Sequence, residues 1–266
     1  MKLTMLGTGN ALVTECYNTC FVIEDSGQYF MTDGGGGSAV LRQLKHAGCD
    51  WMDMRHIFVT HKHVDHLMGV LWMVRMICQF MNHGEYKDEA YIYSHKEVLN
   101  LIRDIAGKLL LEKETRFIDD RLHLVEVHDG ETKNIIGHDI TFFDIRSTKA
   151  KQFGFCMDMG NGKKLTCCGD EPYDDCEKTY AENSEWLLHE AFCLYSERDF
   201  FDPYEKHHST VKDACELAEK LNVRNLLLYH TEDRNIAERK KRYLEEGRQY
   251  YSGNLLIPDD LESLEL

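Results

Sequence analysis

The chain has 266 residues, 43% of them hydrophobic and 29% charged, which supplies a sizeable core and excludes a disordered chain. Lys and Arg total 31 against 46 Asp and Glu, a formal net charge of −15, so a surface built to coat a long nucleic acid by counterion release is disfavoured. A metal-lined cleft in such a protein is still locally positive. With three prolines, no internal repeat and no low-complexity tract, residues 1–266 read as a single domain.

Residues 1–7 read as a strand and a turn, not as a charged segment leading into an apolar signal core. The most apolar later run, residues 67–81, contains Arg75 and reads as too mixed to span a bilayer. Ten cysteines are scattered without a Cys-x-x-Cys pair, and the neighbours Cys167 and Cys168 are poorly placed to bridge each other. Reduced thiols in a cytoplasmic protein, most of them small core residues, are the expectation.

In chain order, residues 2–6 form a first strand, broken by Gly7-Thr8-Gly9. Residues 19–24 and 28–33 form a hairpin that ends in Gly34-Gly35-Gly36-Gly37, and residues 38–46 have helical apolar spacing. Residues 56–60 are a short buried strand, followed by a Met- and Leu-rich helix over residues 66–81. A strand at 90–93 and a helix at 96–111 come next, then strands at 122–127, 139–145, 154–159 and 164–168. Ser209 or Thr210 caps a helix with Ala214, Leu217, Ala218 and Leu221 on one face. Residues 225–229 are an apolar strand ending on His230, and residues 234–251 a charged surface helix. Strands interleaved with helices in two successive halves suit two packed sheets covered by helices.

His61, His63, Asp65 and His66 fall within six positions directly after a strand. Turned inward together, they offer imidazole nitrogens and a carboxylate to a borderline cation such as zinc or manganese. The run His61-Lys62-His63-Val64-Asp65-His66 resembles the H-x-H-x-D-H signature of the metallo-β-lactamase superfamily. Leu6-Gly7-Thr8-Gly9, Asn18-Thr19 and Asp33-Gly34-Gly35-Gly36 look like the opening of ribonuclease Z and its phosphodiesterase relatives. Gly169-Asp170, His189-Glu190-Ala191-Phe192, His208-Ser209-Thr210 and His230 are similar to that branch's later elements, in its order.

The resemblance implies an α/β (α+β) fold, the four-layer αββα sandwich of two mixed sheets flanked by helices. It implies one metal position made by Asp65, His66 and His230, another using His61 and His63, and Asp170 bridging the two. Zinc, as one or two ions, is the expected cofactor, with manganese as the alternative. His208 is the implied proton donor to the leaving oxygen or a clamp on the phosphorane, and Glu190 orients its ring. His207 and His189 are read as bystanders.

Two departures narrow the reading. The family supplies one more histidine before a Gly-Phe or Gly-Tyr strand, and residues 142–155 contain none. Arg146 takes the nearest equivalent position; a guanidinium cannot ligate a metal, so it either weakens the first site or binds a substrate phosphate bidentately. The chain also lacks the Gly-Pro element and the long basic arm of transfer-RNA-processing enzymes; Ser94-His95 stand at the first, and residues 111–122 are short and charge-balanced. The expected function is a cytoplasmic, metal-dependent hydrolase of a small or single-stranded phosphodiester, with a homodimer admitted. A tRNA 3′-end endonuclease, an ester or lactone hydrolase on the same fold, and a metal-binding protein without catalysis are the alternatives.

Overall fold

Short apolar strands build two seven-stranded sheets, one in each of two units of the computed structural model, which describes residues 1–266. The first unit comprises residues 1–7, 17–128 and 261–266, and the second residues 8–16 and 129–260.

The first unit holds β1 (Lys2–Gly7), β2 (Cys20–Asp25), β3 (Gln28–Thr32), α1 (Ala39–His46), β4 (His56–Phe58) and α2 (Val64–His83). Then come β5 (Ala90–Ser94), α3 (Lys96–Leu109), the one-turn α4 (Glu112–Thr115), β6 (Leu122–Glu126) and the last strand of the chain, β14 (Ser263–Glu265). The sheet order is β14-β1-β2-β3-β4-β5-β6, antiparallel as far as β3 and parallel from β3 to β6. Met31, Ile57 and Ile92 lie in register across the parallel strands and share a core with Val40 and Leu44 of α1 and Val98 and Ile102 of α3.

Helix α2 starts two residues earlier than its periodicity suggests, so Asp65 and His66 stand on its first turn and not in a loop. By length and composition it is apolar enough to cross a bilayer, which corrects the reading of residues 67–81 as too mixed. Its apolar residues Leu67, Val70, Met73, Val74, Ile77 and Cys78 are instead buried in the core of this unit. The helix docks backbone to backbone on the glycine loop: Gly34 N donates to His66 O at 2.9 Å and Gly69 N to Gly35 O at 2.8 Å. A Cβ on Gly69 would lie 1.7 Å from Gly34 O, so only glycine permits the approach.

The second unit holds β7 (Glu131–Ile135), β8 (His138–Asp144), β9 (Phe153–Gly160), β10 (Lys163–Cys167), α5 (Lys178–Ala181) and β11 (Trp186–Glu190). It continues with α6 (Arg198–Phe201), α7 (Val211–Lys220), β12 (Asn225–Tyr229), α8 (Ile236–Gly247) and β13 (Asn254–Leu256). Its order is β13-β12-β11-β10-β9-β8-β7, with a parallel half from β10 to β13 and an antiparallel half from β7 to β10. Thr210 caps α7 in a reciprocal box with Asp213, and Val211, Ala214, Cys215 and Ala218 bury its inner face. Helix α8 is shorter than the charged run that encodes it, and one of its charges is internal. Arg239 is buried and donates to Thr8 Oγ1, Thr231 Oγ1 and Pro258 O at 2.7–3.1 Å, pinning residues 8–16 to this unit. All ten cysteines are free.

Candidate metal centre and catalytic site

Each unit collects its polar residues where its parallel strands end, the position at which sheets of this kind expose side chains and loop amides to a ligand. In the first unit Asp33 follows β3, and Thr60, His61 and His63 follow β4. In the second unit Asp170 follows β10, Glu190 ends β11 and His230 follows β12. Asp33 and His230 both take left-handed backbone angles, φ 56° each, a conformation that side chains adopt at a cost and that recurs at functional sites.

In the first unit Asp33 organises the histidines. Its Oδ1 accepts from Thr60 N and its Oδ2 from Thr60 Oγ1, both at 2.8 Å. The Thr60 hydroxyl, its proton committed to Asp33, accepts from His61 Nδ1 at 2.9 Å. Asp33 Oδ2 also lies 2.8 Å from His66 Nδ1. Both imidazoles are therefore fixed with the proton on Nδ1 and the Nε2 lone pair presented, the tautomer a metal ligand needs. His61 Nε2 approaches His63 Nδ1 at 2.8 Å, the His61 and His66 rings lie 4.2 Å apart, and Asp65 Oδ2 stands 3.4 Å from His66 Nε2. His61, Asp65 and His66 are buried.

In the second unit Asp170, His208 and His230 are buried and offer ligand atoms within 4.8 Å of one another. Asp170 Oδ1 lies 2.9 Å from His230 Nδ1. His208 Nδ1 is 3.6 Å from both Asp170 Oδ1 and Glu190 Oε2, and its ring stacks on Phe192 at 4.9 Å. Glu190 is fully buried and its Oε1 accepts from Ser209 N, so the carboxylate holds the backbone beside His208. Asp170 N donates to Gln152 Oε1 at 2.7 Å, and Tyr229 Oη donates to Gly169 O. Burial pushes the Tyr229 phenol well above its ordinary range, which keeps it a donor there.

The structure brings His61, His63, Asp65 and His66 together in one unit and Asp170, Glu190, His208 and His230 in the other. Arg146 joins neither set. Its side chain is exposed, its backbone is left-handed with N donating to Asp144 Oδ1, and its charge acts on Asp174 and Cys176. The cation beside His208 is Lys149, with Nζ 3.3 Å from His208 Nε2 and 3.0 Å from Lys206 O. The turn carrying it is anchored on buried Glu171, which accepts from Ser147 Oγ and from the amides of Thr148 and Lys149.

Sequence reasoning missed Thr60, Gln152 and Lys149, and gave Asp33 no role beyond its place in a motif. Asp33 carried a usable signal: a carboxylate ending one strand beside a parallel strand that ends in Thr-His. Lys149 carried none, because its position depends on the course of a turn.

The residues fit a divalent cation. Imidazole nitrogens and carboxylate oxygens are the donors such ions take, they are buried, and the carboxylate that fixes His66 and Thr60 is the outer support that ligating histidines need.

A family model described as anti-Pycsar protein Apyc1 matches residues 1–250. The chain belongs to this family. It is 26% identical to ribonuclease Z of Thermococcus onnurineus over 314 aligned positions, covering 99% of this chain and 94% of that one. With ribonuclease Z of Bacillus cereus it shares 24% over 308 positions, covering 99% and 98%. Among solved structures it is similar to the metallo-β-lactamase fold protein YhfI of Bacillus subtilis (TM-score 0.78, 17% identity, 99% of each chain). It is also similar to the short form of human tRNase Z (TM-score 0.73, 18% identity, 100% of this chain and 99% of that one). The expected α/β class of two mixed sheets with flanking helices stands, and the fold is that of the metallo-β-lactamases. The chain is a metal-dependent hydrolase of the ribonuclease Z-like, phosphodiesterase branch of that superfamily.

Proposed function

We propose that this hydrolase cleaves a small or single-stranded phosphodiester in the cytoplasm, using zinc or manganese, for which His61, His63, Asp65 and His66 are the candidate ligands of the first unit and Asp170 and His230 those of the second. Such ions, when bound, supply Lewis acidity toward a phosphoryl oxygen and make water a nucleophile near neutrality. The chain's own residues do the rest. Asp33 holds His61, through Thr60, and His66 in the ligating tautomer. His208, between Asp170 and Glu190, delivers a proton to the leaving oxygen, while Glu190 positions its ring through Ser209. Lys149, and not Arg146, supplies a positive charge to the phosphoryl group as that proton moves.

The observation that carries this reading is the buried trio Asp170, His208 and His230 with Glu190 alongside: a ligand pair and an acid–base histidine held in one unit. The small substrate is supported by charge. Between α3 and β6 there is no basic arm; Arg121 donates to the Tyr86 and Asp88 carbonyls and Arg103 pairs with Asp119 at 3.0 Å. Ten free cysteines suit a reducing compartment. The test is turnover of bis(4-nitrophenyl) phosphate against 4-nitrophenyl acetate and a tRNA precursor. The diester should be the preferred substrate, with tRNA binding weak at physiological salt. Preference for the acetate, or tight and steeply salt-dependent binding of the precursor, would overturn it.

A further inference from the structure

The second unit contains a cavity of about 320 Å³ whose lining includes Tyr173, His189, Tyr204, His208, Asp213 and Leu217. The functional reading uses only one of these residues. His189, the third-last residue before Phe192 in a run whose next residue, Glu190, serves the site, is 1% exposed. Its Nδ1 lies 2.7 Å from Glu190 O. A carbonyl can only accept, so that nitrogen carries the proton and, in the neutral ring, Nε2 is left as a lone pair. Nε2 is buried and has no hydrogen-bond partner, and the same holds for the Tyr173 hydroxyl. Two buried, unsatisfied polar atoms on one cavity are each costly to leave so. Tyr204 and Asp213 on the same wall are satisfied internally: Asp213 Oδ2 accepts from Tyr204 Oη at 2.9 Å and from Thr210 N and Oγ1.

We propose that this cavity is a binding site for an uncharged, planar ring with a carboxamide-type edge. One N–H of the ligand donates to His189 Nε2, and its carbonyl accepts from the Tyr173 hydroxyl. Leu217 and the Tyr204 ring supply the apolar walls. The volume falls at the small end of ligand sites, which suits a single ring and excludes a long chain. A charged ligand is disfavoured, since Asp213 already has its donors and no cation lines the cavity. His208 forms part of the same wall, so the occupant touches the histidine that serves the reaction.

The probe is benzamide, followed by nitrogen NMR of the whole protein labelled with ¹⁵N-histidine. Benzamide should displace the His189 Nε2 resonance saturably at millimolar concentration, and the His208 signals with it. Toluene, with the ring and no amide, should produce no displacement at Nε2. Tyr173→Phe should weaken benzamide about tenfold, the worth of one hydrogen bond. Leu217→Trp, which fills the cavity from α7 and leaves His189 in place, should abolish the response. The site is overturned if benzamide gives no saturable displacement, or if the Leu217→Trp protein responds as the parent does. Neither outcome bears on phosphodiester turnover, so this proposal and the functional reading fail separately.

Discussion

At the scale of single residues, the His-x-His-x-Asp-His run was legible because its spacing is chemical, and the structure collects its four side chains within one unit. What supports them was not. Asp33 reaches residues 27 and 33 positions away, a link that no local pattern reveals. Asp33→Ala should lower zinc affinity about 10- to 100-fold, the usual cost of losing the carboxylate behind a ligating histidine, in competition titration with a coloured chelator. Unchanged affinity would show that His61 and His66 hold their tautomers without it. His208 poses the opposite case. Its Nδ1 stands close enough to Asp170 to share an ion, yet its stacking on Phe192 and its place beside Glu190 and Lys149 suit proton transfer. His208→Ala should cut kcat for a chromogenic diester about 10²- to 10⁴-fold with metal content retained by elemental analysis. Loss of metal in step with activity would make it a ligand instead.

At the scale of elements, the strands that were legible from sequence are the apolar ones, such as β12, whose bounds match the reading. The polar edge strand β7 and the three-residue β13 and β14 escaped because edge pairing demands no apolar pattern. The start of α2 escaped too, since a helix that begins inside a ligand motif has polar residues in its first turn. Its docking gives a sharp prediction. Gly69→Ala places a methyl where Gly34 O lies, so the helix must shift and carry Asp65 and His66 with it. Overpacking of this kind costs roughly 1–3 kcal/mol, and thermal melting should show it together with weakened metal binding. A variant with the parent's Tm and affinity would mean that the glycine loop yields freely.

The short turn before α5 gives a second prediction. Glu177 is fully buried, and burial raises its pKa from 4.5 to about 8, the Asp174 amide offsetting part of the shift. The folded protein thus keeps a proton that the unfolded chain has lost. The stability associated with it is complete below the unfolded pKa of 4.5 and falls as pH rises toward 8. Glu177→Gln holds the neutral form at every pH. Its Tm should therefore drop less than the parent's between about pH 5 and pH 8, and equal drops would place the titration elsewhere.

At the scale of the whole molecule, the motif order and the family match over residues 1–250 agree on the hydrolase class, and the −15 balance is what supports proposing a substrate that is not gripped through a basic surface. Composition could bound the substrate class without choosing within it, because composition does not encode the course of a turn such as the one bearing Lys149. The missing histidine of residues 142–155 was legible; the Lys149 side chain that stands near His208 was not, and the structure leaves Arg146 exposed. The central claim is that hydrolysis of a phosphodiester depends on a divalent ion held by these histidines and carboxylates. It is tested most directly by assaying bis(4-nitrophenyl) phosphate with the purified protein before chelation, after exhaustive chelation and after zinc or manganese is restored. The account predicts turnover that disappears with the metal and returns with either zinc or manganese. Turnover that survives complete metal removal, or that neither metal can support, would contradict it.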